Sequence, residues 1–234
     1  MDRNVAVVTG AGGGLGRIFA RALAEDGWAV ALLGRTRTTL EETAEGIDDV
    51  LVVVCDITDE EGVREAFRQV TDHYGRLDLL VNNAGVPGPT GQLHTISATG
   101  WRETFETNTT GTFLCTQQAF AWMAGNGGGR IINNGSIAAH SPRAGVAAYA
   151  ASKAAVASLT VSTALDGRAY GITATELDIG NARTALLGSF TGSEPMFDAE
   201  EIGRMLVAVA SMPLGVSVDQ VTVTAAGMPY LGRG

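Results

Sequence analysis

The chain has 234 residues, 45% of them apolar, and is therefore long enough to bury one substantial hydrophobic core. Its formal net charge of -9 argues against a nucleic-acid-binding surface, which would need clustered basic residues. No apolar run approaches the roughly 18 residues of a membrane span, and the start of the chain is too short and too acidic for a signal peptide. We expect a cytoplasmic protein that binds neither nucleic acid nor membrane, with Cys55 and Cys115 as free buried thiols.

Short apolar runs rich in Val, Ile and Leu alternate with longer amphipathic stretches. The predicted strands are Val5–Thr9, Ala29–Leu33, Val50–Cys55, Leu77–Asn82, Arg130–Asn133, Thr173–Asp178 and Val221–Val223. The predicted helices are Leu15–Asp26, Thr38–Gly46, Asp59–Tyr74, Thr99–Met123, Ala148–Tyr170 and Asp198–Val209. Continuous apolar runs are typical of strands that are buried on both faces of a parallel sheet. The alternation therefore predicts an α/β fold, a doubly wound parallel sheet of about seven strands with helices on both faces, in a single domain over residues 1–234.

A glycine-rich turn follows the first predicted strand and leads into the first helix. Ligands of doubly wound folds bind outside the carboxyl ends of the strands, where this turn falls. Glycines let a backbone turn tightly and approach a pyrophosphate, which a helix N-terminus attracts. The candidate cofactor-binding residues of this turn are Gly10, Gly12, Gly14, Leu15 and Gly16. A simple turn without a ligand is the alternative.

The residues after the second and third predicted strands are candidates for the adenosine end of a dinucleotide site. Arg35 follows the second strand, and Thr36 stands next to it. An acidic residue here would bind the ribose hydroxyls of NAD, whereas an arginine suits the 2′-phosphate of NADP. The alternative for Arg35 is a charge exposed to solvent. Asp56, followed by Ile57, could hold the adenine amino group or cap the next helix, as Asp59 also could.

An amide-rich segment, Asn82-Asn83-Ala84-Gly85, follows the fourth predicted strand. Its small and amide side chains could pack against the adenosine, so Asn83, Ala84 and Gly85 join the candidate cofactor-binding residues. The alternative is a structural turn that needs no ligand.

Tyr149 and Lys153 are four residues apart in a predicted helix, so their side chains lie on one face, one turn apart. A phenol with an ordinary pKa of about 10 is a poor acid or base at neutral pH. A lysine ammonium beside it favours the phenolate and is expected to lower that pKa, so the pair can act in general acid–base catalysis. Ser136 follows an apolar run, and its hydroxyl could bond a substrate oxygen. Taken alone, such a trio is more often a feature of an ordinary surface.

Together these motifs resemble the short-chain dehydrogenase/reductase family in its compact form. The matching features are the glycine turn from Thr9 to Gly16, the segment Asn82–Gly85, Asn108 with the following Thr-Thr-Gly, Ser136, and Tyr149 with Lys153. They stand in the order and spacing of the family, from about Val5 to Thr184. Each motif is common by itself, whereas five in register are highly specific.

The resemblance implies an oxidoreductase that transfers a hydride between a nicotinamide and a carbonyl or secondary alcohol. Tyr149 would give a proton to the carbonyl oxygen or take one from the alcohol, and Ser136 would polarise and position that oxygen. Lys153 would hold the nicotinamide ribose and lower the tyrosine pKa. Asn108 would anchor a water that links Lys153 to solvent. Tyr149 and Lys153 thus count among the catalytic and the cofactor-binding residues.

Arg35 makes NADP(H) the preferred cofactor, with NAD(H) as the alternative. The expected substrate is a small carbonyl or alcohol. The predicted helices Thr99–Met123 and Ala148–Tyr170 carry many small residues, and in the family the equivalent helices form a dimer interface. We therefore expect a homotetramer, or otherwise a homodimer.

The chain departs from the family after the sixth predicted strand, where Asp178-Ile179-Gly180 replaces the usual Pro-Gly. Losing the proline frees one φ angle and adds an amide donor. Gly180, Ala182 and Thr184 remain as candidates for the turn that contacts the nicotinamide. Asp178 could face the substrate or cap the following turn, and we favour the cap.

Two further segments and two alternative functions complete the sequence-based expectations. Residues 185–198 resemble the family's substrate lid, and Met228–Gly234 is expected to pack against a neighbouring subunit. His73, His94 and His140 lack ligand-like spacing, so we predict no metal site. A catalytically silent nicotinamide-binding regulator of the same fold is the alternative function, although the intact catalytic residues argue against it. A sugar epimerase of the related longer branch would need a larger C-terminal region.

Overall fold

The structure is a computed structural model that describes residues 3–183 and 194–228. Its strands are β1 (Val5–Thr9), β2 (Ala29–Gly34), β3 (Val50–Val54), β4 (Leu79–Asn82), β5 (Gly129–Asn134), β6 (Ile172–Gly180), β7 (Ala182–Arg183), β8 (Phe197–Asp198) and β9 (Gln220–Thr224). Its α-helices are α1 (Gly14–Glu25), α2 (Arg37–Ala44), α3 (Glu60–Tyr74), α4 (Ala98–Phe105), α5 (Gly111–Gly125), α6 (Ala147–Gly167) and α7 (Glu200–Ala210). Most of the predicted lid, and all but Met228 of the C-terminal segment, lie outside the described residues.

Seven of the strands form one parallel sheet in the order β3–β2–β1–β4–β5–β6–β9. The chain builds outward from β1 to β3 and then crosses to the other side of β1 to add the remaining four strands. This confirms the predicted doubly wound α/β fold of about seven strands. The strand order reverses between β1 and β4, and the carboxyl ends of strands at such a reversal open into a ligand-binding crevice. The short strands β7 and β8 pair with each other and were not predicted.

Both faces of the sheet are buried, because side chains along each strand alternate between two apolar clusters. Along β1, Val5 and Val7 belong to the cluster that α3 and α5 cover. Ala6 and Val8 belong to the cluster that α1, α2 and α7 cover. Burial on both faces explains why the sequence shows continuous apolar runs. Within the described ranges, no helix has the length and apolar character needed to cross a bilayer.

The predicted helix over Thr99–Met123 is helical in the structure but is not one regular α-helix. In the structure α4 passes through a π-helical turn, Glu106–Thr110, before α5 begins. Asn108 lies inside this turn, and its buried side chain bonds the backbone of Val86 at 2.8 and 3.0 Å. A π turn accommodates one extra residue without ending the helix, so helical backbone continues from α4 into α5.

A layer of buried polar side chains ties the centre of the sheet to α5 and α6. Asn82 Nδ2 of β4 donates to Thr116 Oγ1 of α5 and to Asn133 Oδ1 of β5, both at 2.9 Å. Asn133 Nδ2 donates in turn to Thr160 Oγ1 of α6 at 2.8 Å. These bonds fix the two helices relative to the carboxyl ends of β4 and β5, where the candidate site begins.

Candidate active site

A cleft of about 490 Å³ lies at the carboxyl ends of the central strands. Eleven of the residues proposed from the sequence line it, namely Gly10, Gly14, Leu15, Arg35, Asp56, Ile57, Asn83, Ala84, Gly85, Tyr149 and Lys153. Seven residues that were not proposed as site residues from the sequence also line it, namely Gly13, Gly34, Cys55, Thr58, Val86, Thr107 and Asn134. The glycine-rich turn and the tyrosine–lysine pair therefore share one cavity.

Hydrogen bonds from the end of β4 hold the glycine-rich turn in place. Thr9 Oγ1 accepts from the backbone nitrogens of Asn83 and Ala84 at 3.0 and 3.1 Å. Asn83 Nδ2 donates back to the Thr9 carbonyl at 3.0 Å, and Asn83 Oδ1 accepts from Asn134 Nδ2 at 3.0 Å. Asn83 thus has the structural role that was its alternative reading, and it also lines the cleft.

The glycines of the turn have two different uses. Gly12 and Gly16 do not line the cleft, and both let neighbouring elements approach closely. A Cβ on Gly16 would overlap the carbonyl oxygen of Gly10 and lie 2.6 Å from Asn83 Nδ2. A Cβ on Gly13 would meet no protein atom within 4 Å. The backbone before the N-terminus of α1 is therefore open to a ligand, as a phosphate cradle requires.

Arg35 and Asp56 line the cleft where β2 and β3 end. Arg35 is exposed, and its guanidinium makes no hydrogen bond or ion pair with a described residue. Asp56 Oδ1 accepts from the backbone nitrogen and the hydroxyl of Thr58 at 3.0 and 2.9 Å. The backbone bond from Thr58 lowers the pKa of Asp56, and the charge of Arg35 lowers it further. Neither Asp56 nor Asp59 makes a side-chain cap on α3, and Thr36 is exposed at the N-cap position of α2.

Tyr149 and Lys153 lie one turn apart on α6, and Lys153 Nζ is 5.8 Å from the centre of the tyrosine ring. Burial raises the pKa of Tyr149, a hydrogen bond with Ser136 lowers it, and the charge of Asp178 raises it. The net direction is upward, opposite to the lowering expected from the lysine. Burial decides this direction, because a phenolate loses more solvation than a neutral phenol when it is taken from water.

Lys153 is 5% exposed, and its Nζ donates to the carbonyl oxygen of Asn134 at 2.6 Å. Burial lowers the pKa of Lys153 from 10.5 to about 8, while the carboxylates of Glu176 and Asp178 act in the opposite direction. The ammonium therefore keeps its proton at neutral pH and sits in the cleft as a positive charge.

Asn108 lies behind the cleft and does not line it. Its Nδ2 donates to the carbonyl of Val86 and to Ser152 Oγ, both at 3.0 Å, and its Oδ1 accepts from the nitrogen of Val86 at 2.8 Å. Ser152 is the neighbour of Lys153 on α6, and Val86 lines the cleft. Asn108 thus joins the π turn, the loop after β4 and α6 behind the tyrosine–lysine pair.

The expected cap by Asp178 is not what the structure contains. Asp178 is 0% exposed. Its Oδ2 accepts from Gln220 Nε2 of β9 at 2.7 Å and lies 3.1 Å from His140 Nε2. With Ile179 in place of proline, β6 continues to Gly180 and pairs along this length with β9. The carboxylate of Asp178 thus bonds side chains beside β6, within the strand, and does not cap the turn that follows it.

Gly180 and Ala182 are buried and do not line the cleft. A Cβ on Gly180 would lie 2.7 Å from Ile137 Cδ1, so the absence of a side chain lets β6 pass close to the segment after β5. Asn181, between the two, has a φ of 55°, in the left-handed region that asparagine tolerates. Thr184 lies outside the described residues.

Cys55 and Cys115 are free and buried, as predicted. Burial raises the pKa of Cys55 to about 11 and also raises that of Cys115. Cys55 lines the cleft next to Asp56, yet its thiol stays protonated at neutral pH.

The arrangement fits a dinucleotide. The open backbone before α1 can receive a pyrophosphate, and the unpaired guanidinium of Arg35 can receive a further phosphate. The phenol of Tyr149 and the ammonium of Lys153 lie in the same cleft, where a reacting group would need them.

Comparisons with known proteins agree with this geometry. Residues 4–194 match the family model described as short chain dehydrogenase, and the chain belongs to this family of NAD(P)-dependent oxidoreductases. It is 36% identical over 214 residues to a cis-4-hydroxycyclohexanecarboxylate dehydrogenase of Sinomonas cyclohexanicum, across 86% of this chain and 83% of that protein. The fold is similar to that of a 3-ketoacyl-(acyl-carrier-protein) reductase from Brucella melitensis complexed with NADH, with a TM-score of 0.90 and 26% identity over 96% of this chain and 97% of that chain. An alcohol dehydrogenase from Thermococcus sibiricus complexed with 5-hydroxy-NADP gives a TM-score of 0.87 and 26% identity over 96% and 97% of the two chains.

Proposed function

We propose that this protein is a carbonyl reductase or alcohol dehydrogenase that transfers a hydride between a nicotinamide dinucleotide and a small carbonyl or secondary alcohol. The observation that carries the proposal is that Tyr149 and Lys153 line the same cleft as the glycine-rich turn. Hydride transfer to a carbonyl also needs a proton, so a dinucleotide cradle and an acid must face one cavity. The NADH and 5-hydroxy-NADP of two similar structures support a nicotinamide cofactor.

The residues of the cleft divide the proton chemistry among them. In carbonyl reduction Tyr149 donates its phenolic proton to the carbonyl oxygen, and in alcohol oxidation its phenolate takes the alcohol proton. The raised pKa of Tyr149 keeps the phenol protonated at neutral pH, which suits the acid of the reductive direction. The hydroxyl of Ser136 orients the substrate oxygen, and the ammonium of Lys153 favours the phenolate when it forms. When bound, the nicotinamide supplies or accepts the hydride.

Replacing the phenol tests this assignment. Tyr149→Phe should lower kcat by about 10²- to 10⁴-fold, the range of general acid–base catalysis, while the affinity for the dinucleotide stays close to that of the wild type. Tyr170→Phe is the matched control, because Tyr170 is half exposed and packs against Phe120 away from the cleft. A Tyr149→Phe variant with more than about a tenth of the wild-type turnover would mean that another group carries the proton.

The substrate screen can start from the similar protein of Sinomonas cyclohexanicum. NADPH and NADH consumption is followed with ketones, aldehydes and keto sugars, and NADP+ and NAD+ reduction with cis-4-hydroxycyclohexanecarboxylate and other secondary alcohols. A protein that binds the dinucleotide but converts no member of either panel would favour the catalytically silent regulator.

The same site supports a preference for NADP(H). Arg35 lines the cleft at the end of β2, is exposed, and has no hydrogen-bond partner among the described residues. A guanidinium can bind a phosphate through two parallel charge-assisted bonds. Bonds to charged groups contribute roughly 1.5–3 kcal/mol each, and solvent exposure reduces this contribution. A preference of about tenfold to a hundredfold for NADPH over NADH follows.

Fluorescence titration of both reduced cofactors tests the preference. Arg35→Ala should weaken NADPH binding by about tenfold or more and leave NADH binding within about twofold. Arg37→Ala is the matched control, because Arg37 pairs with Glu41 at 3.7 Å and does not line the cleft. Equal or tighter binding of NADH by the wild type would refute the preference.

We also propose a homotetramer or homodimer that assembles through α5 and α6, in a reducing, cytoplasmic setting. Phe113 on α5 and Val161 and Leu165 on α6 are large apolar side chains that are 45%, 60% and 52% exposed in the single chain. Contiguous exposed apolar surface is typical of protein–protein interfaces. The free thiols of Cys55 and Cys115 are consistent with a reducing compartment.

A further inference from the structure

Two buried carboxyl groups that the proposed mechanism does not use lie beside the tyrosine–lysine pair. Glu176 and Asp178 are 5% and 0% exposed. They stand two residues apart on β6, so both project from one face of the sheet. Leu177 between them packs on the opposite face, in the cluster that α1 and α7 cover. The two carboxyls therefore face the side of the sheet that carries α6.

The oxygens of these carboxyls are unequally satisfied. Asp178 Oδ2 accepts from Gln220 Nε2 at 2.7 Å and lies 3.1 Å from His140 Nε2. Asp178 Oδ1 and Glu176 Oε1 are buried and have no hydrogen-bond partner among the described residues. Both of these oxygens lie against Gly135, where an added Cβ would be 2.6 Å from Asp178 Oδ1 and 2.9 Å from Glu176 Oε1.

Two ionised carboxylates that share one buried space repel each other, and neither can donate a hydrogen bond. A single proton held between them removes one charge and satisfies both unpartnered oxygens. Asp178 is the better-supported anion, because Gln220 donates to it and His140 can donate to it. Glu176 is then the proton carrier, and its burial, followed by the charge of Asp178, raises its pKa.

The titratable groups that face this carboxyl pair come from three elements. Tyr149 and Lys153 face it from α6, and His140 faces it from the segment after β5. From β6 itself the two carboxyls face each other. At the start of β9, Asp219 is exposed and its side chain is bonded to Ser217. Burial and the charge of Asp178 raise the pKa of Glu176 to about 7, while Lys153 acts in the opposite direction.

We propose that Glu176 and Asp178 hold one proton between them and act as positioning residues that set the ionisation of Tyr149 and Lys153. This inference rests on the proposed function for its effect on turnover. With the proton in place, the pair carries one negative charge, which balances the buried ammonium of Lys153. When the proton leaves to solvent as H⁺, the second negative charge favours the ammonium and disfavours the tyrosinate.

A titration that needs no turnover tests the shared proton directly. Protein carrying ¹³C at the glutamate side-chain carboxyl carbon is followed by NMR against pH, and Glu176→Gln assigns the signal. We expect a midpoint near 7 for Glu176, against about 4.5 for an ordinary glutamate. Asp178→Asn should move this midpoint down by at least about one unit, because the neighbouring charge is lost. A wild-type midpoint close to 4.5 would overturn the inference, whatever the enzyme's activity.

The pH profile of kcat/KM tests the effect on the catalytic pair. Glu176→Gln keeps the size and a donor but cannot ionise, so Lys153 loses the support of a second carboxylate at high pH. The alkaline limb of the profile should move to lower pH by at least about half a unit, a roughly threefold loss of activity on that limb. Asp219→Asn, which removes a nearby exposed carboxylate, is the matched control and should leave the profile unchanged. Superimposable profiles for the wild type and Glu176→Gln would contradict the proposed tuning.

A chelator control separates this inference from a metal site. The ligand atoms of His140, Glu176 and Asp178 lie within 4.8 Å of one another, a spacing that could also hold a divalent cation. A profile that is unchanged by EDTA supports the shared proton. A chelator-sensitive profile, restored by a divalent cation, would overturn it.

Discussion

Gly16→Ala should destabilise the fold through one added methyl group. The new Cβ would overlap the carbonyl oxygen of Gly10 and lie 2.6 Å from Asn83 Nδ2. Ordinary carbon–nitrogen contacts are about 3.5 Å, so the turn or the amide must move by about 1 Å. Overpacking costs about 1–3 kcal/mol, and we expect about 3 kcal/mol because one obstacle is backbone. For a chain of this size that corresponds to a fall in Tm of about 6–12 °C.

Gly13→Ala is the matched control for this substitution. Gly13 has an extended backbone, and a Cβ there would meet no protein atom within 4 Å. Its stability should change by less than about 1 kcal/mol, while NADPH binding weakens because the methyl group enters the cleft. Urea unfolding and fluorescence titration measure the two effects. A Gly16→Ala variant within about 0.5 kcal/mol of the wild type, or equal losses for both variants, would refute the assigned roles.

Three further outcomes follow from the contacts. The free energy of unfolding of the wild type, relative to that of Lys153→Met, should rise by about 3 kcal/mol between pH 8 and 10.5. The reason is that the pKa of Lys153 is lowered to about 8 in the folded protein, so the unfolded chain binds more protons in that window. Urea unfolding across pH measures this difference, and a difference that does not change with pH would contradict the lowered pKa. Asn83→Ala should cost about 1–3 kcal/mol in urea unfolding, because the amide of Asn134 loses its acceptor, and an unchanged midpoint would contradict this. Val161→Glu with Leu165→Glu should reduce the mass measured by light scattering, and a monomeric wild type at micromolar concentration would rule out the proposed assembly.

The fold and the two halves of the site could be predicted because each depends on local spacing. The glycine turn is readable from the strand before it and the helix after it. Tyr149 and Lys153 are readable because four residues make one helical turn. The structure brings the glycine-rich turn and the tyrosine–lysine pair to one cleft.

The environment of the tyrosine–lysine pair could not be predicted, because it depends on contacts between distant parts of the chain. Asp178 reaches His140, 38 positions before it, and Gln220, 42 positions after it. No local pattern encodes those partners, so the favoured interpretation of Asp178 was a cap of the following turn. The pKa direction of Tyr149 was misjudged for the same reason, since burial and the charge of the distant Asp178 raise the pKa and outweigh the lowering by Ser136.

The π turn was missed for a different reason. The backbone is helical throughout residues 98–125 and only its hydrogen-bond spacing changes over Glu106–Thr110, so the sequence around Asn108 resembles that of one continuous helix. The side chain of Asn108 gives the only hint, because an asparagine within a helix needs partners outside the helical backbone.

Cys55 lines the cleft just after β3, so the reactivity of its thiol reports on this part of the cleft. With a pKa of about 11, only about one molecule in 10⁴ carries the thiolate at pH 7, against about one in 100 for an ordinary cysteine. Alkylating reagents react with the thiolate, so Cys55 in the folded protein should be labelled about 100-fold more slowly than an ordinary cysteine from this effect alone. Any fluctuation that lets water reach the end of β3 both lowers the pKa of Cys55 and exposes its sulfur. The rate of alkylation at Cys55 would therefore measure how often the site opens transiently, and a bound nucleotide should lower that rate.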